Sequence, residues 1–291
     1  MLLTNSFEGF EKQLTHAEKS PATIRSYIMS CKRFAEAIQT KYNRPVFLEQ
    51  IQEKDIEEYL YDLKVNKGYK PSSINVTLNG LRNLFKYAMR NHFVEKDPTA
   101  YIETLKNHKE RRDFLTVEEI QLLLSTMNHS LGNLVVRTLA FTGLRISECL
   151  ALTMNDIDFD KNRVYVRNGK GNKPRTLPLS QDLKPYLIAY KNGPRRFIQD
   201  SDTFFATQKT GKISPVYINR LLKEATTELQ WDKRVTCHTL RHSFASKLVK
   251  NGTGLPTVAA LLGHSDFRTV TAVYVHVDES ELQDAVNQLS L

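Results

Sequence analysis

The stretch HTLRHSFASKL sets His238, Arg241 and His242 within one helical turn, ahead of the apolar Phe244, Ala245, Leu248 and Val249. Positions 238 and 241 are three apart and share a helix face, and Leu240, Phe244 and Leu248 supply an adjacent apolar stripe. Burying that stripe holds two cationic or hydrogen-bonding groups side by side over whatever lies opposite. A lone HxxR is by itself read as a surface helix with a solvated basic face. Three further stretches carry groups of the same kind: TGLRISE at 142–148, GKGNKPR at 169–175, and LLGHSDFRTVTAVYVHV from 261. Each has an ordinary explanation by itself, with Arg145 pairing Glu148 on a helix, Lys170 in a solvated turn, His264 capping a helix after Gly263, and Tyr274 as a core aromatic. It is their joint occurrence, in this order, that points to a reactive site.

The charge of the chain says what such a site would face. Of the net +9, residues 1–110 contribute 17 Lys+Arg against 14 Asp+Glu and residues 111–277 contribute 24 against 14, while the tail from Asp278 holds four acids and no base. So basic a body attracts polyanions through phosphate contacts and counterion release, which makes nucleic acid the leading partner. The three cysteines, Cys31, Cys149 and Cys237, are odd in number and far apart, and read as reduced packing residues. No Cys/His metal spacing, Walker-type phosphate loop or GxGxxG fingerprint occurs, so neither metal nor nucleotide cofactor is expected. The N-terminus carries no signal-peptide pattern and no apolar run reaches membrane-spanning length, from which a cytoplasmic, nucleoid-associated protein is expected.

The elements that must position these groups follow from periodicity. Ser20-Pro21 starts a helix whose buried face runs through Ile24, Tyr27, Ile28, Cys31, Phe34, Ala35 and Ile38. A second helix is expected over 55–65. A third opens at Pro71, and beside its apolar Ile74, Leu78, Leu81, Leu84 and Phe85 it carries Arg82, Lys86 and Arg90, each four residues from the next. That basic rail suits a DNA groove or backbone, and suits a solvated face equally well. Residues 97–113, DPTAYIETLKNHKERRD, have no sustained periodicity and mark a boundary. Thr116 and Glu119 then form a capping box, Gly143 ends a helix, and RISECLAL starts a short one. Between 157 and 179 the period becomes two: RVYVR and RTLPL flank NGKGNKP as a β-hairpin with Lys170 and Lys173 at its tip. Helices resume near 181–191, 214–230, 238–251, 255–262 and 268–276.

Taken together, TGLR, the hairpin lysine, HxxR, the GH box and the following tyrosine resemble the tyrosine recombinase/integrase family, with the nearest local likeness to its Xer-type two-domain members. The resemblance covers the whole chain. It implies a mainly α fold, with an N-terminal helical, SAM-like core DNA-binding domain over 1–100, a linker over 101–112, and a mixed α/β catalytic domain over 113–291, mostly helical with a small antiparallel sheet. It further implies Arg145, Lys170, His238, Arg241, His264 and Tyr274 as catalytic residues, with Arg82, Lys86, Arg90 and Lys173 on DNA. The chemistry fits these types. The pentavalent charge that develops at an attacked phosphodiester needs preorganised donors, and an arginine can fork onto nonbridging oxygens where a lysine cannot. Histidines add hydrogen bonds and proton movement near neutral pH. By the resemblance, Tyr274 attacks to form a 3′-phosphotyrosyl link, Lys170 protonates the departing 5′-oxygen, and Glu148 orients the Arg145 region. The implied function is site-specific recombination through a Holliday junction, without cofactor, for integration, excision or resolution.

The resemblance departs from the family pattern at one place: Tyr274 lies ten residues after His264, where nine are usual. No tyrosine occupies position 273, and YVHV matches the surroundings of the family nucleophile, so Tyr274 keeps the assignment. After it, Leu282, Ala285, Val286 and Leu289 repeat at helical spacing. The resemblance makes residues 279–291 an exchange helix that docks on a neighbouring protomer, giving a homo-tetramer of two dimers on double-stranded DNA with paired inverted elements; docking on its own domain is the alternative. Target sequence and accessory proteins are not legible. A strand-swivelling topoisomerase, an architectural DNA-binding protein and an RNA-binding protein are the competing classes.

Overall fold

In the computed structural model the described residues are 1–107, 114–167 and 174–263, and the chain divides into two compact units, Met1–Glu110 and Arg111–Leu291. The first is all helical. Helix α1 (Ser6–His16) buries Phe7, Phe10 and Leu14, a short stripe that the sequence reading passed over. Helix α2 (Pro21–Tyr42) starts as its sequence dictates, the Ser20 hydroxyl accepting from the Thr23 N–H at 3.2 Å with Pro21 in the first turn. Helices α3 (Glu53–Val65) and α4 (Pro71–Arg90) complete a core built on Phe10, Phe34, Ile56, Ile74, Leu78 and Phe85. Gly80 is what lets α4 lie close on α2: a Cβ there would sit 3.3–3.4 Å from Ser30 and the Tyr27 backbone. At the start of α3 the buried Asp55 carboxylate accepts from Lys41 Nζ (2.6 Å), Tyr42 Oη (2.7 Å) and the Gln52 N–H (3.0 Å), which ties α2 to α3.

The chain after α4 does not leave this unit at once. Asn75 exchanges two hydrogen bonds with the Leu105 backbone (2.8 and 2.9 Å), Arg82 donates to the Ile102 carbonyl, and Ile102 is buried. Residues 102–105, expected in a linker, are therefore stitched onto α4 by side chains that periodicity does not reveal.

The second unit opens with α5 (Val117–Thr126), where the predicted capping box forms: Thr116 Oγ1 accepts from the Glu119 N–H, and the Thr116 N–H donates to Glu119 at 2.9 Å. Helix α6 (Ser130–Thr142) ends at Gly143, whose φ is +62°. The five-residue α7 (Ile146–Leu150) follows, then an antiparallel sheet of β1 (Ile157–Asp158), β2 (Arg163–Val166) and β3 (Arg175–Pro178) in that order, with Val164 opposite Leu177. β1 widens the expected hairpin to three strands. Helices α8 (Lys184–Asn192), α9 (Pro215–Glu228), α10 (Cys237–Lys250) and α11 (Leu255–Leu262) complete the described part. Val135, Leu139, Leu144, Cys149, Leu177, Leu222 and Leu240 lie in one buried cluster, and α10 packs along α6. The fold is mainly helical with a small sheet, as expected. Among the described residues, no helix is long and apolar enough to cross a membrane.

Gly143 occupies a position that no other residue fits well. Besides its positive φ, a Cβ there would lie 2.3 Å from Phe244 Cδ1 and 3.1 Å from Leu262 Cδ2. Gly143→Ala combines left-handed strain with overpacking and is expected to cost about 2–4 kcal/mol. Trp231, the single tryptophan, packs against this unit's core and makes its fluorescence a local reporter. A urea midpoint by Trp231 fluorescence equal to that of wild type would refute the assignment.

Candidate active site

The site is built around one carboxylate. Glu148 stands at the third position of α7, where it caps that helix by accepting the Arg145 N–H at 2.9 Å on Oε2. Arg145 Nη1 donates to Oε1 at 2.6 Å. Arg175, at the start of β3, forks onto the same carboxylate, Nη1 to Oε1 at 3.1 Å and Nη2 to Oε2 at 2.8 Å. Arg241, on α10, brings Nη1 to 3.8 Å from Oε2 and donates through Nη1 to the Gly143 carbonyl and through Nη2 to the Leu262 carbonyl, both at 2.7 Å.

Burial grades across this cluster. Glu148 and Arg241 are 2% and 3% exposed, Arg175 10% and Arg145 26%, so Arg145 is the most exposed of the three arginine side chains. Three guanidiniums against one carboxylate leave two positive charges in excess, a preorganised field for an oxyanion. Burial by itself would raise the Glu148 pKa. The hydrogen bonds from Arg175 and the Arg145 N–H, with the charge of Arg175 and the Arg145 side chain, outweigh burial and hold it down to about 2 from an ordinary 4.5.

His238 and Arg241 sit one turn apart on α10, as their spacing predicts, with His238 exposed in the first turn. Two side chains fix that end of the helix: Thr236 Oγ1 accepts from the Thr239 N–H at 3.3 Å, and Asn219 of α9 accepts from the Cys237 N–H at 3.0 Å. The anchoring face differs from the expected one. Cys237, Leu240, Arg241, His242, Ser243 and Ala245 are buried, whereas Phe244 and Leu248 are half-buried against a small cluster of Val258, Ala259 and Leu262. The reason is that α10 packs against α6, α9 and α11, so polar residues are enclosed as well as apolar ones. Ser243 shows how: its hydroxyl donates to the Thr239 carbonyl (2.9 Å) and accepts the Leu115 N–H (2.8 Å). Burial pushes the Cys237 thiol up to about 12 and raises Cys149 as well, which leaves both protonated at neutral pH and consistent with packing.

Lys170 and Lys173, at the expected hairpin tip, and His264 and Tyr274 lie outside the described residues, as does the expected exchange helix. The described strands β2 and β3 flank 168–173, and Gly263 immediately precedes His264. Of the basic rail on α4, Lys86 and Arg90 are exposed, and Arg82 is half-buried through its bond to the Ile102 carbonyl. Sequence reasoning singled out neither Arg175 nor Asn219. For Arg175 a signal existed: it alternates with the buried Leu177 and therefore puts a charge on the inward face of a strand.

Residues 113–281 match the model of the phage integrase family, and residues 7–95 match that of the phage integrase N-terminal SAM-like domain. The chain is 31% identical over 277 residues to the tyrosine recombinase XerD of Staphylococcus haemolyticus, with 92% of each chain covered. It is 32% identical over 288 residues to a tyrosine recombinase of Pseudothermotoga lettingae, with 97% of each covered. In fold it is similar to the Tn1549 transposon integrase in complex with a circular intermediate DNA, at a TM-score of 0.77 and 20% identity with 98% and 99% of the two chains covered. A lambda integrase dimer bound to a core site gives a TM-score of 0.76 at 21% identity, covering 94% and 95%. With both units of the chain matched and the arginine-ringed carboxylate inside the second matched segment, the chain belongs to the phage integrase family, that of the tyrosine recombinases.

Proposed function

We propose that this chain is a site-specific DNA recombinase acting in the cytoplasm, which cuts and rejoins strands through a covalent bond between Tyr274 and DNA. The Tyr274 oxygen attacks the scissile phosphorus. The bond from phosphorus to the 5′-oxygen breaks, Lys170 gives that oxygen a proton, and a 3′-phosphotyrosyl link and a 5′-hydroxyl result. The same steps in reverse, with the 5′-hydroxyl of a second duplex, exchange the strand and form a Holliday junction. No external energy source is needed, because the protein–DNA bond keeps the phosphodiester's energy.

The observation that carries this reading is the cluster of three arginines on the buried Glu148, with Arg145 the most exposed of them. Arg145 and Arg241 are the phosphate clamp, stabilising charge on the nonbridging oxygens, and His238 and His264 assist proton movement. The first unit is the core DNA-binding domain of residues 1–100, joined through 101–112 to the catalytic domain of 113–291. Arg82, Lys86 and Arg90 of α4 and Lys173 contact the duplex, with Arg82 also tying down the chain that leaves α4. Relatives have been seen on DNA, and the partner here is double-stranded DNA with paired inverted elements. Residues 279–291 link four protomers in synapsis.

The test is a nicked suicide substrate carrying DNA from the gene's own neighbourhood, incubated without ATP and with a metal chelator. A denaturant-resistant adduct whose DNA-linked peptide contains Tyr274 is expected. Tight specific binding with no adduct on any fragment would reject the reading.

A further inference from the structure

Arg175, which no step of the reaction uses, is engaged through all three of its guanidinium nitrogens. Its Nη1 and Nη2 hold both oxygens of Glu148, and its Nε donates to the Leu261 carbonyl at 3.0 Å. One planar side chain thus ties β3, α7 and the end of α11 together. A helix leaves its last carbonyls without intrahelical partners, and here two successive ones, Leu261 and Leu262, are taken by Arg175 and Arg241. The backbone then turns at Gly263 with φ +66°, where a Cβ would stand 2.8 Å from Arg175 Nη1 and 3.0 Å from its Cδ. The glycine is needed for the guanidinium to reach its place, and the next residue in sequence is His264.

We propose that Arg175 is a positioning residue for strand cleavage: by holding Glu148 through both oxygens it fixes the Arg145 side chain, and by capping α11 it fixes the point from which the chain departs towards His264. All three guanidinium nitrogens of Arg175 are engaged on Glu148 and the Leu261 carbonyl, so it acts through them and does not itself clamp the phosphate. The three bonds run in the directions of a guanidinium plane, which an ammonium group cannot match. The inference rests on the recombinase reading.

The experiment uses the full chain and the nicked suicide substrate, with wild type, Arg175→Ala, Arg175→Lys, Glu148→Gln and the double variant Arg175→Ala/Glu148→Gln. Single-turnover adduct formation is expected to slow about 100-fold in Arg175→Ala and about 10-fold in Arg175→Lys, with binding to the intact site within about threefold of wild type. Because both residues act through one contact, the double variant should be no more than about threefold slower than the slower single variant. A role in packing alone would not move the pH profile. Arg175→Ala should gain an acid limb, adduct formation falling as pH drops through the raised pKa of Glu148, and the double variant should lack that limb. If Arg175→Ala does not fold, Arg175→Lys decides by the same affinity, pH and double-variant comparisons with Glu148→Gln.

Wild-type cleavage with Arg175 variants within threefold of it would overturn the proposal, as would multiplicative losses in the double variant or a loss of affinity equal to the loss of rate. No adduct from wild type itself would instead remove the recombinase reading, and this proposal with it.

Discussion

Replacing Tyr274 with phenylalanine is expected to leave specific DNA binding within about twofold of wild type and to lower covalent attachment by at least about 10⁴-fold. The substitution removes one oxygen and keeps the ring, so whatever the ring packs against is retained. What is lost is the atom that bonds to phosphorus, and nothing in the described site can replace it. The nearest tyrosine in sequence is Tyr217, half-buried on α9, edge-on to His129 with the Arg220 guanidinium over its ring. The buried thiols of Cys149 and Cys237 are held protonated by their surroundings. Water could still attack a phosphate clamped by Arg145 and Arg241, but that yields a nick without an adduct, and a denaturing gel separates the two products. A persistent adduct in Tyr274→Phe, mapped to another residue, would refute the nucleophile and also the weight given to YVHV over the unusual spacing from His264.

Much of the fold could be read from the sequence because its signals are local. Ser20-Pro21, the Thr116–Glu119 box and Gly143 each act within one turn of chain, and the structure places helix ends at all three. The period-two stretch became β2 and β3, with apolar Val164 opposite Leu177. What could not be read is what depends on partners distant in sequence. Residues 102–105 look like linker until Asn75 and Arg82 are seen to bind them, and the buried set on α10 follows from its neighbouring helices, not from its own stripe. The site shows the same division. Arg145, Glu148, His238 and Arg241 sit in recognisable motifs, whereas the use of Arg175 depends on α7, β3 and α11 meeting at one carboxylate.

Protonating or neutralising that carboxylate is expected to destabilise the second unit by several kcal/mol. The folded-state pKa of Glu148 lies at about 2 against an ordinary 4.5. A depressed carboxylate pKa means a contribution fully present above about pH 4.5 and lost as pH falls from there through 2. At about 1.4 kcal/mol for each pKa unit the contribution is about 3 kcal/mol, and the 2% exposure of the side chain leaves little solvent screening to discount it. Glu148→Gln should therefore lower the unfolding free energy of this unit at pH 7 by about 3–5 kcal/mol, the upper end reflecting Arg175 and Arg241 left buried without a counter-charge. Against a total of about 5–15 kcal/mol for a domain, that loss is a large fraction of the unit's stability. Urea unfolding followed at Trp231 separates the two consequences. Between pH 4.5 and 2 the wild-type midpoint should fall more steeply than that of Glu148→Gln, and the two curves should converge as wild-type Glu148 takes up its proton. Parallel curves would mean that the guanidinium ring does not hold this carboxylate ionised. The same carboxylate holds the Arg145 side chain, so a stability loss at pH 7 with unchanged cleavage would separate folding from chemistry and remove Glu148 from the positioning of the clamp.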